Sequence, residues 1–159
     1  MLDQATRHGT PLSSQGSSAD GLGVGGDAIW LLARLCIGGI FVNSGFGKLM
    51  ALDAFAASLA KNGVPMADVM AVIGAAVEFF GGLAIVLGIQ TRYAALLMAL
   101  FTITATLISH RFWELADVAA RRQQSIHFAK NLAIFGAFLL LFVQGGGRFS
   151  FDGWWRRAR

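Results

Sequence analysis

The stretch "AIWLLARLCIGGIFVNSGFGKLM", residues 28–50, decides how the chain folds. It is apolar over most of its length and long enough for a membrane crossing, which needs roughly 20 residues at about 1.5 Å each. It also holds Arg34 in its interior and ends in Ser44, Gly45, Gly47 and Lys48. Arg34, Gly38, Phe41, Gly45 and Lys48 recur at helical spacing and share one face. Two charges and two glycines on one stripe do not make a lipid-facing surface. Glycines let a neighbouring helix approach closely, and intramembrane charges need partners or water.

Three more stretches have the same character: Ala67–Gly88, Tyr93–Ser109 and Ile126–Gln144. The 159 residues are 55% hydrophobic and only 14% charged, against about 25% charged in an ordinary soluble domain. The expected fold class is an all-α integral membrane protein, a bundle of four transmembrane helices. The connection Ala51–Met66 carries Ala, Phe and Leu at helical spacing and reads as a short interfacial helix stopped by Gly63 and Pro65. The connection Arg111–Ser125 reads as a second one. Three regions follow: a polar, Ser- and Gly-rich tail expected to be disordered over residues 1–27, the membrane domain over 28–145, and a basic Trp/Arg tail over 146–159. The first helix is expected to be an uncleaved anchor, because no apolar core follows Arg7 and His8 closely enough for a signal peptide.

Charge and cysteine content exclude several classes. The formal charge of +4 is concentrated in "WWRRAR", whose Trp154 and Trp155 suit the membrane interface and whose arginines suit an anionic lipid surface better than a nucleic acid. Positive residues are nearly balanced across the membrane, and this cluster tips the reading towards both termini in the cytoplasm. Cys36 is alone, so no disulfide forms within the chain; it reads as a small packing residue. No Walker loop, dinucleotide-binding glycine pattern, HExxH or Cys/His metal spacing occurs, so no metal site is expected.

Polar residues inside the spans carry the functional reading. Glu78, between Gly74 and Gly81, lies near mid-span and requires a counter-charge or a proton. By depth, Arg34 is the expected partner. The third span carries Ala95, Ala99, Thr102, Thr106 and His110 on one stripe, and the fourth opens with His127, Lys130 and Asn131. Topology brings Lys48, His110, Lys130 and Asn131 to one membrane face. Lys48 and Lys130 read equally as snorkelling cations, and Asn131 as interhelical glue. Haem ligation by His110 and His127 is the weaker reading.

The run from "ARLCIGGIFVNSGFGKL" through "GVP", "EFFGGLAIVLGIQTRYAAL" and "TLISHRFW" to "FAKNLAIFGAFLLLFVQGGGRFSFD" resembles the DoxX family of four-helix membrane proteins. The resemblance covers roughly Arg34 to Asp152. Its typical positions are Arg34, Gly45, Lys48, Glu78, Gly81, Gly82, Arg92, His110, Lys130 and Asn131; Cys36 and His127 fall outside the pattern. The family is similar to subunits of quinol oxidase and thiosulfate:quinone oxidoreductase. The resemblance therefore implies a quinone-linked redox subunit in a bacterial inner membrane.

In that reading His110 and Glu78 handle protons, while Lys48, Lys130, Asn131 and Arg34 bind the cofactor, a quinone. Phe41, Phe46, Phe112 and Trp113 would supply aromatic walls. A protein partner must bring electrons, since the chain has no evident carrier. The alternative is a non-catalytic scaffold or assembly subunit for a redox or stress-response complex. A small-solute permease fits less well, because the middle of the fourth span is almost wholly apolar. The glycine stripes leave open whether copies of the chain associate into a homo-oligomer.

Overall fold

The computed structural model describes residues 23–159. The expected tail over residues 1–27 lies largely outside them, and its last five residues belong to the first helix. The helices are α1 (Gly23–Met50), α2 (Leu52–Lys61), α3 (Ala67–Leu87), α4 (Thr91–Ser109), α5 (Val118–Gln144) and α6 (Phe151–Arg157). No strand occurs among the described residues. Helices α1, α3 and α5 are each long and apolar enough to cross a membrane, as is α4 with the turn that follows it. The chain is an all-α integral membrane protein built as a four-helix bundle.

The expected helix in the first connection is α2. Its Ala56 and Leu59 pack on Ala71 of α3, with Phe55, Val64 and Ile108 around them. The second connection differs from expectation: it holds only a 3-10 turn at Phe112–Glu114. The second half of the segment expected to form a separate interfacial helix, from Val118 onward, is instead the first turns of α5. Asp117 caps that helix by accepting from the Ala120 N–H at 2.7 Å, and no glycine or proline interrupts it before Gly136. At 27 residues α5 is about 40 Å long and outreaches a hydrocarbon core of roughly 30 Å, so its polar opening turns project from the bilayer.

Neighbours around the bundle run α1–α3–α4–α5, with the loosest seam between α5 and α1. Gly45 and Gly82 set the α1–α3 approach: a Cβ at Gly45 would lie 2.5 Å from the Phe79 backbone nitrogen, and one at Gly82 would lie 2.9 Å from the nitrogen of Val42. The core is Phe41, Ile85, Ala95, Met98, Ala99, Phe138 and Leu141, with the rings of Phe41 and Phe138 5.3 Å apart. Ile40, Phe80, Leu100 and Leu140 point outward, as lipid contact requires. Cys36 also lies on the outer surface, not in a packed interior.

The C-terminal region is not a free tail. Ser150 caps α6 through the Gly153 N–H at 2.9 Å, and Trp30 donates to the Gly145 carbonyl at 3.0 Å. The Asp152 N–H donates to the carbonyl of Gly88 at 3.0 Å. Residues 145–157 thus fold back across the end of the bundle where α3 turns into α4.

Candidate functional site

Glu78 is 3% exposed, and its partner is Lys48, with Nζ 2.5 Å from Oε2. The expected Arg34–Glu78 pair is not formed, and the reason lies in helix geometry. Side chains tilt towards the N-terminus of their own helix. Helices α1 and α3 are antiparallel. Lys48 therefore leans inward from the end of α1, and Glu78 leans back to meet it. Arg34 lies about three turns back along α1 from Gly45, the residue that faces Phe79, and leans away from Glu78 towards Gly88.

Lys48 accordingly does not snorkel outward. Its ammonium also sits 4.9 Å above the Phe55 ring, a cation–π contact with α2. A desolvated carboxylate bonded to an ammonium keeps its charge without water, whereas either ion alone would be costly in this place.

Beside this pair lies a cavity of about 370 Å³, bounded by all four spanning helices and by α2. Ser44 and Lys48 come from α1, Glu78 from α3, Thr102 and Ser109 from α4, and Lys130 and Asn131 from α5; His110, just past α4, completes the polar wall. Phe41, Phe55 and Phe101 supply aromatic surface. The volume falls in the range of small-molecule sites, about 300–1,000 Å³.

The polar groups on the α4–α5 side are ordered. Asn131 donates to the Thr106 hydroxyl at 3.0 Å, Thr106 to the Thr102 carbonyl at 2.6 Å, and Thr102 to the Met98 carbonyl at 2.6 Å. His110 Nδ1 is 2.7 Å from the Gln124 side-chain oxygen. That oxygen accepts, so Nδ1 is the donor in this contact. Lys130 is exposed at the edge of the cavity and has no hydrogen-bond or ion partner among the described residues.

Five of the six residues expected to form the site meet here: Glu78, His110, Lys48, Lys130 and Asn131. Arg34 does not. It is fully buried at the opposite end, where it donates to the carbonyls of Ile85 at 3.4 Å, Val86 at 3.5 Å and Phe149. It satisfies the C-terminus of α3 and the returning chain, a position that suits a cation. Arg34 thus ties backbone together at this end and lies apart from the cavity.

Of the expected aromatic walls only Phe41 lines the cavity. Phe46 packs on Phe79 on the outer surface, and Phe112 and Trp113 pack on Phe128. The rings of His110 and His127 stack 5.3 Å apart and 20° from parallel. Rings in contact at this distance leave no room for a haem between them.

Ser58, which lines the cavity from α2, and Ser109 and Gln124 are not singled out by the sequence, and Ser44 figures there only as part of the end of the first span. Ser44 lies one turn before Lys48 and Ser109 beside His110, so proximity to the charged positions was the available signal. Gln124 was hidden because its helix was expected to start after it.

The DoxX family model matches residues 29–111. The chain is 37% identical over 122 residues to the inner membrane protein YphA of Escherichia coli (strain K12), covering 77% of this chain and 86% of that protein. It is 36% identical over 122 residues to the inner membrane protein YqjF of the same organism, covering 77% and 88%. No solved structure matches the chain significantly. The matched segment contains the α1–α3 contact, the Lys48–Glu78 pair and His110, and with this extent of similarity the chain belongs to the DoxX family.

Proposed function

We propose that this chain is a quinone-binding redox subunit of a bacterial inner membrane, the membrane that names both relatives. One observation carries the reading. The 370 Å³ cavity opens near one membrane face and combines aromatic walls with an ammonium, an amide, hydroxyls and an imidazole. A quinone head group presents two carbonyl acceptors on a flat apolar ring and enters from the lipid. Lys48 has three donor hydrogens, of which Glu78 takes one, so it can bond a carbonyl while still paired. Asn131 has a second amide hydrogen beyond the one given to Thr106.

A quinone accepts electrons together with protons. His110 is the group placed to deliver or receive a proton, since an imidazole can donate at one nitrogen and accept at the other. Glu78 balances the charge of Lys48 beside the cavity. The electrons come from a partner protein. The Trp154–Trp155 pair and the arginines of α6 support a cytoplasmic location for that end, which puts the cavity towards the opposite face.

A scaffold or assembly role is favoured by one specific feature: Lys48 and Glu78 bond each other directly, a pairing that can hold α1 against α3. The test separates the two. Quinone is quantified by mass spectrometry per chain of protein purified in mild detergent, beside the neutral double variant Lys48→Met/Glu78→Gln and His110→Ala. Near-stoichiometric quinone, lost in the variants while they remain folded, is expected. Background quinone in all three would leave the scaffold.

A further inference from the structure

At the opposite end of the bundle a second cavity, of about 550 Å³, opens between the α3–α4 turn and α6. Its walls include Gln90, Arg92, Tyr93, Asp152, Trp155 and Arg156. The returning C-terminal segment makes it. Asp152 accepts from the Gln90 N–H at 2.8 Å, the Thr91 N–H at 2.7 Å and the Thr91 hydroxyl at 2.8 Å. Those bonds fix α6 beside the first turn of α4 and engage both carboxylate oxygens. The two guanidinium groups are different. Neither Arg92 nor Arg156 has a hydrogen-bond acceptor or a carboxylate within 4.0 Å among the described residues, although Arg156 is near enough to Asp152 for its charge to be felt there.

Counting charges in the walls, two arginines less one aspartate leave one net positive charge. Guanidinium groups match phosphate oxygens in a forked geometry that other cations do not. The surroundings indicate how the phosphate is carried. Tyr93 is 74% exposed and Trp155 47%, as expected of rings in the headgroup layer. Below them, Leu97 and Leu100 continue the Tyr93 face of α4 at helical spacing and are exposed, a surface for an acyl chain.

We propose that Arg92 and Arg156, held together by the α6 clamp, form a binding site for the phosphodiester headgroup of an anionic phospholipid. The lipid seats between the α3–α4 turn and α6, with its glycerol end beside Tyr93 and Trp155. The site is independent of the quinone reading, which concerns the other membrane face.

The test uses the full chain, delipidated in mild detergent. Phosphatidylglycerol or phosphatidylcholine is added back, with lipid retention read by native mass spectrometry and the thermal midpoint followed in parallel. One phosphatidylglycerol per chain is expected, with a raised midpoint and weaker retention of phosphatidylcholine. Arg92→Gln and Arg156→Gln should each weaken phosphatidylglycerol binding about fivefold, the ordinary effect of one basic residue at an anionic surface. Arg122→Gln, at the other end, should change nothing. Arg156 is exposed, so its replacement is expected to leave the fold intact and keep the test interpretable. Equal retention of the two lipids, or full retention in the double arginine variant, would overturn the proposal. Displacement of the lipid by inorganic phosphate alone would overturn the lipid as the source of the phosphate.

Discussion

At the end of the bundle that holds the C-terminus, Arg34 donates to the carbonyls of Ile85, Val86 and Phe149, and Asp152 accepts from the backbone of Gln90 and Thr91. Both charges serve the backbone. At the other end Lys48 and Glu78 serve each other, beside a cavity. A buried charge bonded to main chain is fixed by the fold and does not respond to a ligand. A buried pair on the wall of a cavity has spare hydrogen-bonding capacity on the side it shows to that cavity. The same kind of side chain, at similar distance from the bundle ends, is architecture in one place and a candidate site in the other.

The sharpest way to break this comparison is to remove one member of the pair. Lys48→Met leaves a nearly buried carboxylate without its cation, and breaking such a pair costs about 3–5 kcal/mol unless Glu78 takes up a proton. The double variant Lys48→Met/Glu78→Gln removes both charges at similar volume, and should lie near the parent in stability. The measurement is thermal unfolding in detergent, followed by circular dichroism. Equal destabilisation in the single and double variants would mean that the pair is not what holds this end together.

A smaller effect is expected one turn away. Gly45→Ala drives a methyl group into the backbone of Phe79, 2.5 Å from its nitrogen and 2.8 Å from its Cα, and backbone cannot step aside. Overpacking of this kind costs about 1–3 kcal/mol. Gly47, two residues on, faces open space, and its replacement by alanine should be neutral or stabilising by up to about 1 kcal/mol. If both variants unfold alike, the α1–α3 contact does not determine the distance across which Lys48 reaches Glu78.

Much of this was legible in the sequence. Span length, the glycine stripe of α1 and the arrival of Lys48, His110, Lys130 and Asn131 at one face follow from periodicity and topology. The partner of Glu78 is not legible from hydropathy, because span boundaries do not fix which turn of α1 faces which turn of α3: Gly45 lies against Phe79, whereas Arg34, three turns earlier, lies beside Gly88. Arg34 was misassigned for that reason. The true start of α5 was hidden because its first turns are polar, and hydropathy reports the bilayer boundary rather than the helix boundary. The C-terminal clamp left the weakest signal. Residues 146–159 read as a basic Trp/Arg tail until Asp152 is seen to bond the first turn of α4.

That clamp offers the last and smallest test, one that only the terminal end should fail. Burial opposes the charge on Asp152, but the hydrogen bonds from the backbone and hydroxyl of Thr91 and the backbone of Gln90, together with the charge of Arg156, outweigh it and hold its pKa below the ordinary carboxylate value. A carboxylate with a lowered pKa in the folded state contributes stability that is fully present above its unfolded value, near 3.9, and is lost as the pH falls through the folded value. Asp152→Asn keeps an acceptor oxygen but loses the charge, and should cost about 1 kcal/mol at neutral pH, the usual range for a helix N-terminal cap. The difference in thermal midpoint between parent and variant should then shrink as the pH is lowered from 7 towards 3, because the parent loses what the variant never had. A constant difference across that range would mean that Asp152 acts through its shape and not its charge. The Lys48–Glu78 end would be unaffected by either result, since no contact of Asp152 reaches it.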